Sequence, residues 1–74
     1  MGTIKEILDK GDFGDKYVTT TGKRALFLRR AYNSENNFII FYVEDWGVVQ
    51  VFANTGYEVH GDAEHSIVGL YNAE

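Results

Sequence analysis

Residues 37–56 read NFIIFYVEDWGVVQVFANTG, two apolar runs around a short acidic turn that contains a glycine. Runs rich in Val, Ile and aromatic residues favour β-strands, and a turn of Asp-Trp-Gly between them is typical of a hairpin. The stretch therefore predicts an antiparallel hairpin. Because both runs are apolar at most positions, the sequence also raises the question of what covers the second face of this hairpin.

The register of this hairpin follows from how its side chains segregate, because a one-residue shift moves every side chain to the opposite face. A three-residue loop at 45–47 sets Val43 opposite Val49 and makes one face wholly apolar, whereas a two-residue loop places Gln50 on that face. A second three-residue loop at 54–56 extends this register to a strand at 57–60. It predicts that Tyr57 and Val59 share the apolar face.

Glycine-containing turns and a helix cap predict the remaining elements of the fold. Residues 20–22 (Thr-Thr-Gly), 45–47 and 54–56 each fit a loop whose glycine has a positive φ. We therefore expect strands near 16–20, 23–32, 37–44, 48–54 and 57–60, and a short sixth strand within 66–71. At the N-terminus, Thr3 and Glu6 form a capping box, which predicts a two-turn helix from Ile4 with Gly11 in the left-handed conformation at its end.

These elements predict one small domain over residues 1–74, of the α+β class and mainly β. Its architecture is an antiparallel meander of five to six strands with one short N-terminal helix. A chain of 74 residues without cysteine has neither disulfides nor thiolate metal sites to stabilise it. Oligomerisation is the remaining common device, so we expect a homodimer, with another protein as a possible partner.

No apolar segment approaches the roughly 20 residues that span a bilayer, and the first ten residues lack the apolar stretch of a secretory signal. The sequence therefore predicts no membrane association and a cytoplasmic location.

The second face of the central hairpin is too apolar for solvent and too polar for a deep core. We therefore predict that it binds a second copy of the chain, helped in part by the helix. The expected interface residues are Ile40, Tyr42, Val48, Gln50, Phe52 and Glu58.

Charge is distributed unevenly along the chain. All seven Lys and Arg lie in residues 1–33 with four acids, for a net +3, whereas residues 34–74 hold seven acids and a net −7. One interpretation is that basic and acidic strands neutralise each other across the sheet. Another is a dipolar molecule that associates with itself or with a charged partner.

One short segment holds the residues best suited to chemistry. It contains two imidazoles and two carboxylates, the donor types that bind Zn²⁺ and harder cations, at His60, Asp62, Glu64 and His65. Without a cysteine or a helix to bring both histidines to one face, a solvated loop is the favoured interpretation. We predict no metal, no cofactor and no catalytic residues.

The basic strand has some features of a nucleic-acid site, because Lys23, Arg24, Arg29 and Arg30 flank Phe27. Simple alternation divides these cations between both faces, and the pI of about 5.0 disfavours a polyanionic partner, so nucleic-acid binding is not expected.

Short motifs at 17–25 (YVTTTGKRA), 43–44 (VE) and 51–57 (VFANTGY) resemble short proteins of phages and prophages. The resemblance covers about residues 16–70 and implies a small β-protein of bacterial or phage origin. It brings no catalytic residues. Our functional hypothesis is a non-enzymatic, self-associating interaction module, and the alternatives are a metal-dependent enzyme and an acidic mimic of nucleic acid that acts as an inhibitor.

Overall fold

A computed structural model describes residues 3–32 and 35–71. One helix precedes five strands in a single antiparallel sheet, which confirms the α+β, mainly β class. The elements are α1 (Ile4–Asp9), β1 (Lys16–Thr19), β2 (Arg24–Tyr32), β3 (Asn37–Val43), β4 (Gly47–Phe52), a 3₁₀ helix (Ala63–His65) and β5 (Ile67–Leu70).

Strands β1 to β4 form the expected meander, but β5 lies at the far edge beside β1, in the order β4-β3-β2-β1-β5. Residues 56–59 join the two edges. The N–H of Phe52 donates to the carbonyl of Tyr57 (2.9 Å), and the N–H of Ile67 donates to the carbonyl of Gly56 (2.7 Å). The sheet therefore curls into a partly closed barrel with an inner and an outer face.

The inner face carries the core. Tyr17, Phe27 and Phe41 meet there with ring centroids 5.2–6.2 Å apart, two of the three pairs edge to face. Aliphatic side chains from β2 to β5 surround these rings and are at most 5% exposed, among them Ala25, Ile39, Val43, Val49, Val51 and Ile67. Core aromatic pairs of this kind contribute about 0.5–1.5 kcal/mol beyond the area that they bury.

Helix α1 begins with the predicted capping box: the N–H of Glu6 donates to the Thr3 hydroxyl (3.3 Å), and the Thr3 N–H donates to the Glu6 carboxylate (3.0 Å). Leu8 is fully buried in the core, and Ile4 and Ile7 pack against it. The helix therefore covers the inner face, and the expectation that it helps to cover the outer face is wrong.

The end of α1 differs from the prediction. Lys10 is the C-cap, and the glycines with positive φ do not include Gly11. A Cβ at Gly11 would collide with the Tyr17 hydroxyl and the Phe27 ring, so Gly11 allows close packing. Arg30 of β2 caps the end of the helix, because its Nη2 donates to the carbonyls of Leu8 (2.7 Å) and Asp9 (3.0 Å) and to that of Gly11 just beyond the helix (3.1 Å).

The loop between β3 and β4 has three residues as predicted, but it lies at 44–46, one residue earlier than expected. Val43 pairs with Gly47 and Phe41 with Val49, and both Asp45 and Gly47 have a positive φ. The partner of each residue changes by two positions, which preserves the face of every side chain. The apolar inner face of the hairpin is therefore as predicted.

The next loop is longer than predicted. Val51 pairs with Glu58 in an isolated bridge, and residues 57–60 form no strand. Four residues, 53–56, separate Phe52 from Tyr57, so the register differs by one residue and reverses the faces. Tyr57 is 64% exposed, and the prediction that it lies on the apolar face is wrong.

Candidate functional site

The outer face is the side of the sheet that carries Leu26, Ile40, Tyr42, Val48, Gln50 and Phe52. The strand register places Lys16, Leu26, Tyr42 and Val48 in one row across β1 to β4. Tyr42 is 48% exposed and Val48 is 65% exposed. The row is therefore largely apolar and open to solvent.

Two further rows extend this surface away from the 44–46 loop. Ile40 lies between Arg29 and Gln50, and Phe38 lies beside Phe52 with ring centroids 5.4 Å apart. All but Arg29 are partly buried by their neighbours. Together the rows form a continuous apolar patch with polar groups at its sides.

Five of the six residues predicted at an interface, Ile40, Tyr42, Val48, Gln50 and Phe52, come together on this face. Glu58 does not join them, because the register change in the 53–56 loop turns its side chain inward, where the residue is only 8% exposed. Sequence reasoning overlooked Lys16 and Leu26, which the register adds to the patch.

Buried Glu58 organises the segment that follows. Its Oε1 accepts hydrogen bonds from the N–H groups of His60 (2.7 Å) and Asp62 (3.1 Å), and its Oε2 contacts the His60 Nδ1 (2.9 Å). Burial by itself raises the pKa of Glu58, but the hydrogen bonds from His60 and Asp62 outweigh burial and lower this pKa below its ordinary value. The carboxylate therefore acts as a structural anchor.

A β-bulge changes the charge pattern of the outer face. The register between β2 and β3 shifts between Phe27 and Arg29, so Arg29 pairs with Ile40 on the outer face, whereas Arg30 pairs with Ile39 on the inner side. Alternation alone would put Arg24 and Arg29 on opposite faces. The bulge places both on the outer face, together with Lys16.

Arg24 lies beside Glu44 at the end of the outer face nearest the 44–46 loop. The Arg24 N–H donates to Glu44 Oε2 (2.6 Å), the Glu44 N–H donates to the Arg24 carbonyl (3.0 Å), and the two side chains approach to 3.7 Å. The guanidinium also lies 5.5 Å from the centre of the Tyr71 ring. The face therefore carries a positive group on β2 beside a negative group just after the end of β3.

The candidate metal ligands divide into two sets. Asp62, Glu64 and His65 have ligand atoms within 4.8 Å of one another, whereas His60 contacts Glu58. Asp62 has a role in the fold, because one oxygen accepts from the Glu64 N–H (3.1 Å) and the other contacts the His65 Nδ1 (2.7 Å). These contacts cap the 3₁₀ helix and orient His65.

His65 links this helix to the hairpin. Its ring is buried and stacks on Trp46 of the 44–46 loop, with centroids 4.2 Å apart and planes at 14°. The Thr21 hydroxyl donates to the carbonyl of Glu64 (3.2 Å), which ties the β1–β2 turn to the same helix. The positions of the Asp62 and His65 side chains are thus accounted for by packing at this end of the barrel.

A shallow groove of about 530 Å³ adjoins the outer face at Phe52. Tyr57, Val59 and Val68 contribute apolar side chains to it. Val68 is 56% exposed, and a register shift in the β1–β5 pairing leaves it without a paired residue in β1. The groove extends the apolar surface of the outer face. It was not predicted because the sequence analysis expected a strand at 57–60.

Among residues 3–32 and 35–71, no helix is long and apolar enough to cross a membrane. The resemblance to phage proteins stays a prediction. Comparison of the chain with protein-family models, curated proteins and solved structures found no match.

Proposed function

We propose that the protein is a non-enzymatic interaction module that associates with itself through the outer face of its sheet. The observation that carries the proposal is an apolar patch that the described residues leave partly exposed, in which Ile40, Tyr42, Val48 and Phe52 lie together with Gln50 and Arg29 beside them. An apolar centre with polar groups at its rim is the usual anatomy of a protein interface.

The position of α1 supports this proposal. The helix is the element that could have covered the outer face. Its apolar side chains Ile4, Ile7 and Leu8 pack on the inner face instead. An apolar sheet surface in contact with water loses the stabilisation that burial provides, about 25 cal/mol for each Å². Docking of a second copy recovers this stabilisation.

The size of the molecule is compatible with such an interface. A stable interface buries about 800 Å² on each partner, roughly a sixth of the surface of this chain. The exposed surface of the chain is 4910 Å². One face of the molecule can supply this area, and twofold symmetry is the default arrangement for a small homo-oligomer.

Sedimentation equilibrium at micromolar concentration tests the proposal. We expect the wild type to sediment as a dimer, and we expect Tyr42→Glu to shift it to the monomer, because a carboxylate at the centre of the patch would have to be desolvated. Tyr42 is 48% exposed within one copy, so this change leaves the fold of the monomer intact. Phe52→Glu should have the same effect, with added loss of stability because Phe52 is partly buried.

Phe13→Glu provides the matched control. Phe13 is 73% exposed, lies between α1 and β1 and is not among the residues that form the patch. This variant should remain as dimeric as the wild type. A wild type that sediments as a single 8.4 kDa species would contradict the proposal.

A further inference from the structure

The Arg24–Glu44 pair has a position on the outer face that suits recognition between two copies. Arg24 is on β2 and Glu44 directly follows β3, and the two lie side by side, joined by both backbone and side-chain contacts. Their side chains are 47% and 43% exposed, so each keeps unused hydrogen-bonding capacity. Within one copy, such an exposed pair is weak because water screens it.

We infer that two copies pack outer face to outer face about a twofold axis that runs parallel to the strands between β2 and β3. This inference rests on the proposed self-association. The axis exchanges the positions of β2 and β3, so Arg24 of one copy lies over the partner's Glu44, and Glu44 lies over the partner's Arg24. The two pairs become a quartet of alternating charges.

The same axis also gives sensible apolar contacts. Leu26 on β2 lies over the partner's Tyr42, and Lys16 on β1 lies over the partner's Val48, following the row that the register defines. The aliphatic stem of a lysine packs well on an apolar side chain while its ammonium group reaches water. Sheets that pack with their strands roughly aligned are common.

The other simple arrangement is disfavoured by charge. An axis across the strands, along the row of Leu26 and Tyr42, keeps β2 over the partner's β2 and sets Arg29 over the partner's Arg24. Like charges facing each other suppress such a pairing. The bulge that brings Arg29 to the outer face therefore selects the axis parallel to the strands.

Charge reversal tests the quartet. Arg24→Glu puts two acids on each copy at this position, and Glu44→Arg puts two bases there. We expect each variant alone to dimerise at least about tenfold more weakly than the wild type, because four like charges meet at the axis. An equimolar mixture should form a heterodimer with a dissociation constant within about threefold of wild type, because every charge then faces its opposite.

Restoration by mixing separates a contact between copies from the contact within one copy, because each chain in the mixture still lacks its internal ion pair. Circular dichroism and thermal melting of each variant establish that both are folded. Lys23→Glu is the control. Lys23 directly precedes β2 and is two residues from the buried Ala25, so alternation along the strand places it away from the outer face. It should dimerise like the wild type, and mixing it with Glu44→Arg should restore that variant less than mixing with Arg24→Glu does, because one of the two contacts then still joins like charges.

The outcomes distinguish the two proposals. A monomeric wild type overturns self-association and the quartet together. A dimeric wild type with a mixture of Arg24→Glu and Glu44→Arg that stays monomeric overturns only the arrangement about this axis.

Discussion

The hairpin of β3 and β4 and the segment 53–66 that follows it are held together by different means. The hairpin is a regular ladder in which Phe38 to Val43 pair with Gly47 to Phe52. The segment has a single bridge to β4 and depends on side chains that bond to the backbone, chiefly Glu58 and Asp62. Repeated pairing tolerates a local change, whereas an arrangement that depends on single side chains does not.

A glycine at a turn in each region makes the contrast measurable. Gly47 has φ 133° and Gly56 has φ 77°, so both adopt a backbone conformation that disfavours other residues. A Cβ at Gly47 would meet no heavy atom within 4 Å. At Gly56 it would collide with the carbonyl oxygen of Ile67 and lie 3.2 Å from the Cγ1 of Ile4.

The largest effect is expected for Gly56→Ala. Backbone strain costs about 1–3 kcal/mol and overpacking about 1–3 kcal/mol, so the free energy of unfolding should fall by about 2–6 kcal/mol. Urea denaturation measures this change. Gly61→Ala is the control, because Gly61 has φ 87° but a Cβ there would meet no heavy atom within 4 Å, and it should show the strain alone. Equal losses at the two sites would refute the close approach to β5.

A smaller effect is expected for Glu58→Gln, which keeps the shape of the side chain and removes its charge. Hydrogen bonds to a charged acceptor exceed neutral ones by about 1–2 kcal/mol, so the variant should lose about this much stability at neutral pH. Thermal or urea unfolding at pH 7 checks this loss, and an unchanged stability would mean that the carboxylate does not anchor the segment.

The same carboxylate should make stability depend on pH. The pKa of Glu58 is lower in the folded state than its ordinary value of 4.5, so the unfolded chain binds the proton more readily. The stabilisation is therefore complete above about pH 4.5 and is lost as the pH falls through the folded pKa. Between pH 7 and pH 2.5, the free energy of unfolding should fall more steeply for the wild type than for Glu58→Gln. An equal fall with pH in the two proteins would contradict the assignment.

The smallest of these effects is expected for Gly47→Ala. With no steric contact at the Cβ, only the backbone strain remains, and the loss should be about 1 kcal/mol, the low end of the range for a residue in a disfavoured conformation. Urea denaturation of this variant beside Gly56→Ala gives the comparison directly. A loss at Gly47 as large as that at Gly56 would show that the hairpin is no more tolerant than the segment after it.

The accuracy of the sequence predictions follows the same division. Alternation identified the inner face of the hairpin even though the loop lies one residue earlier, because a two-position change of partner preserves every face. In the 53–56 loop the change was a single position, and it moved Glu58 from a predicted interface to a buried site. Composition does not specify the length of a loop, and an error of one residue in that length moves the side chains of the following segment to the opposite face.

Five of the predicted interface residues share the outer face because they lie in the regular hairpin. Ile40, Tyr42, Val48, Gln50 and Phe52 alternate with core residues in one regular hairpin, so a local pattern sufficed to group them. Arg29 belongs to this surface because of the bulge in β2, and Lys16 belongs to it because β1 pairs with β2. Neither leaves a signal in the local pattern.

The sequence by itself determined the capped start of α1, the four meander strands and the positive φ of Gly22, Gly47 and Gly56. These features depend on interactions between residues a few positions apart, so local spacing specifies them. Only the tertiary structure decided that β5 pairs with β1, that Arg30 caps the end of α1 and that Glu58 is buried. Each of these depends on which distant segments the curled sheet brings together, and contacts between distant segments are specified by the packing of the whole chain.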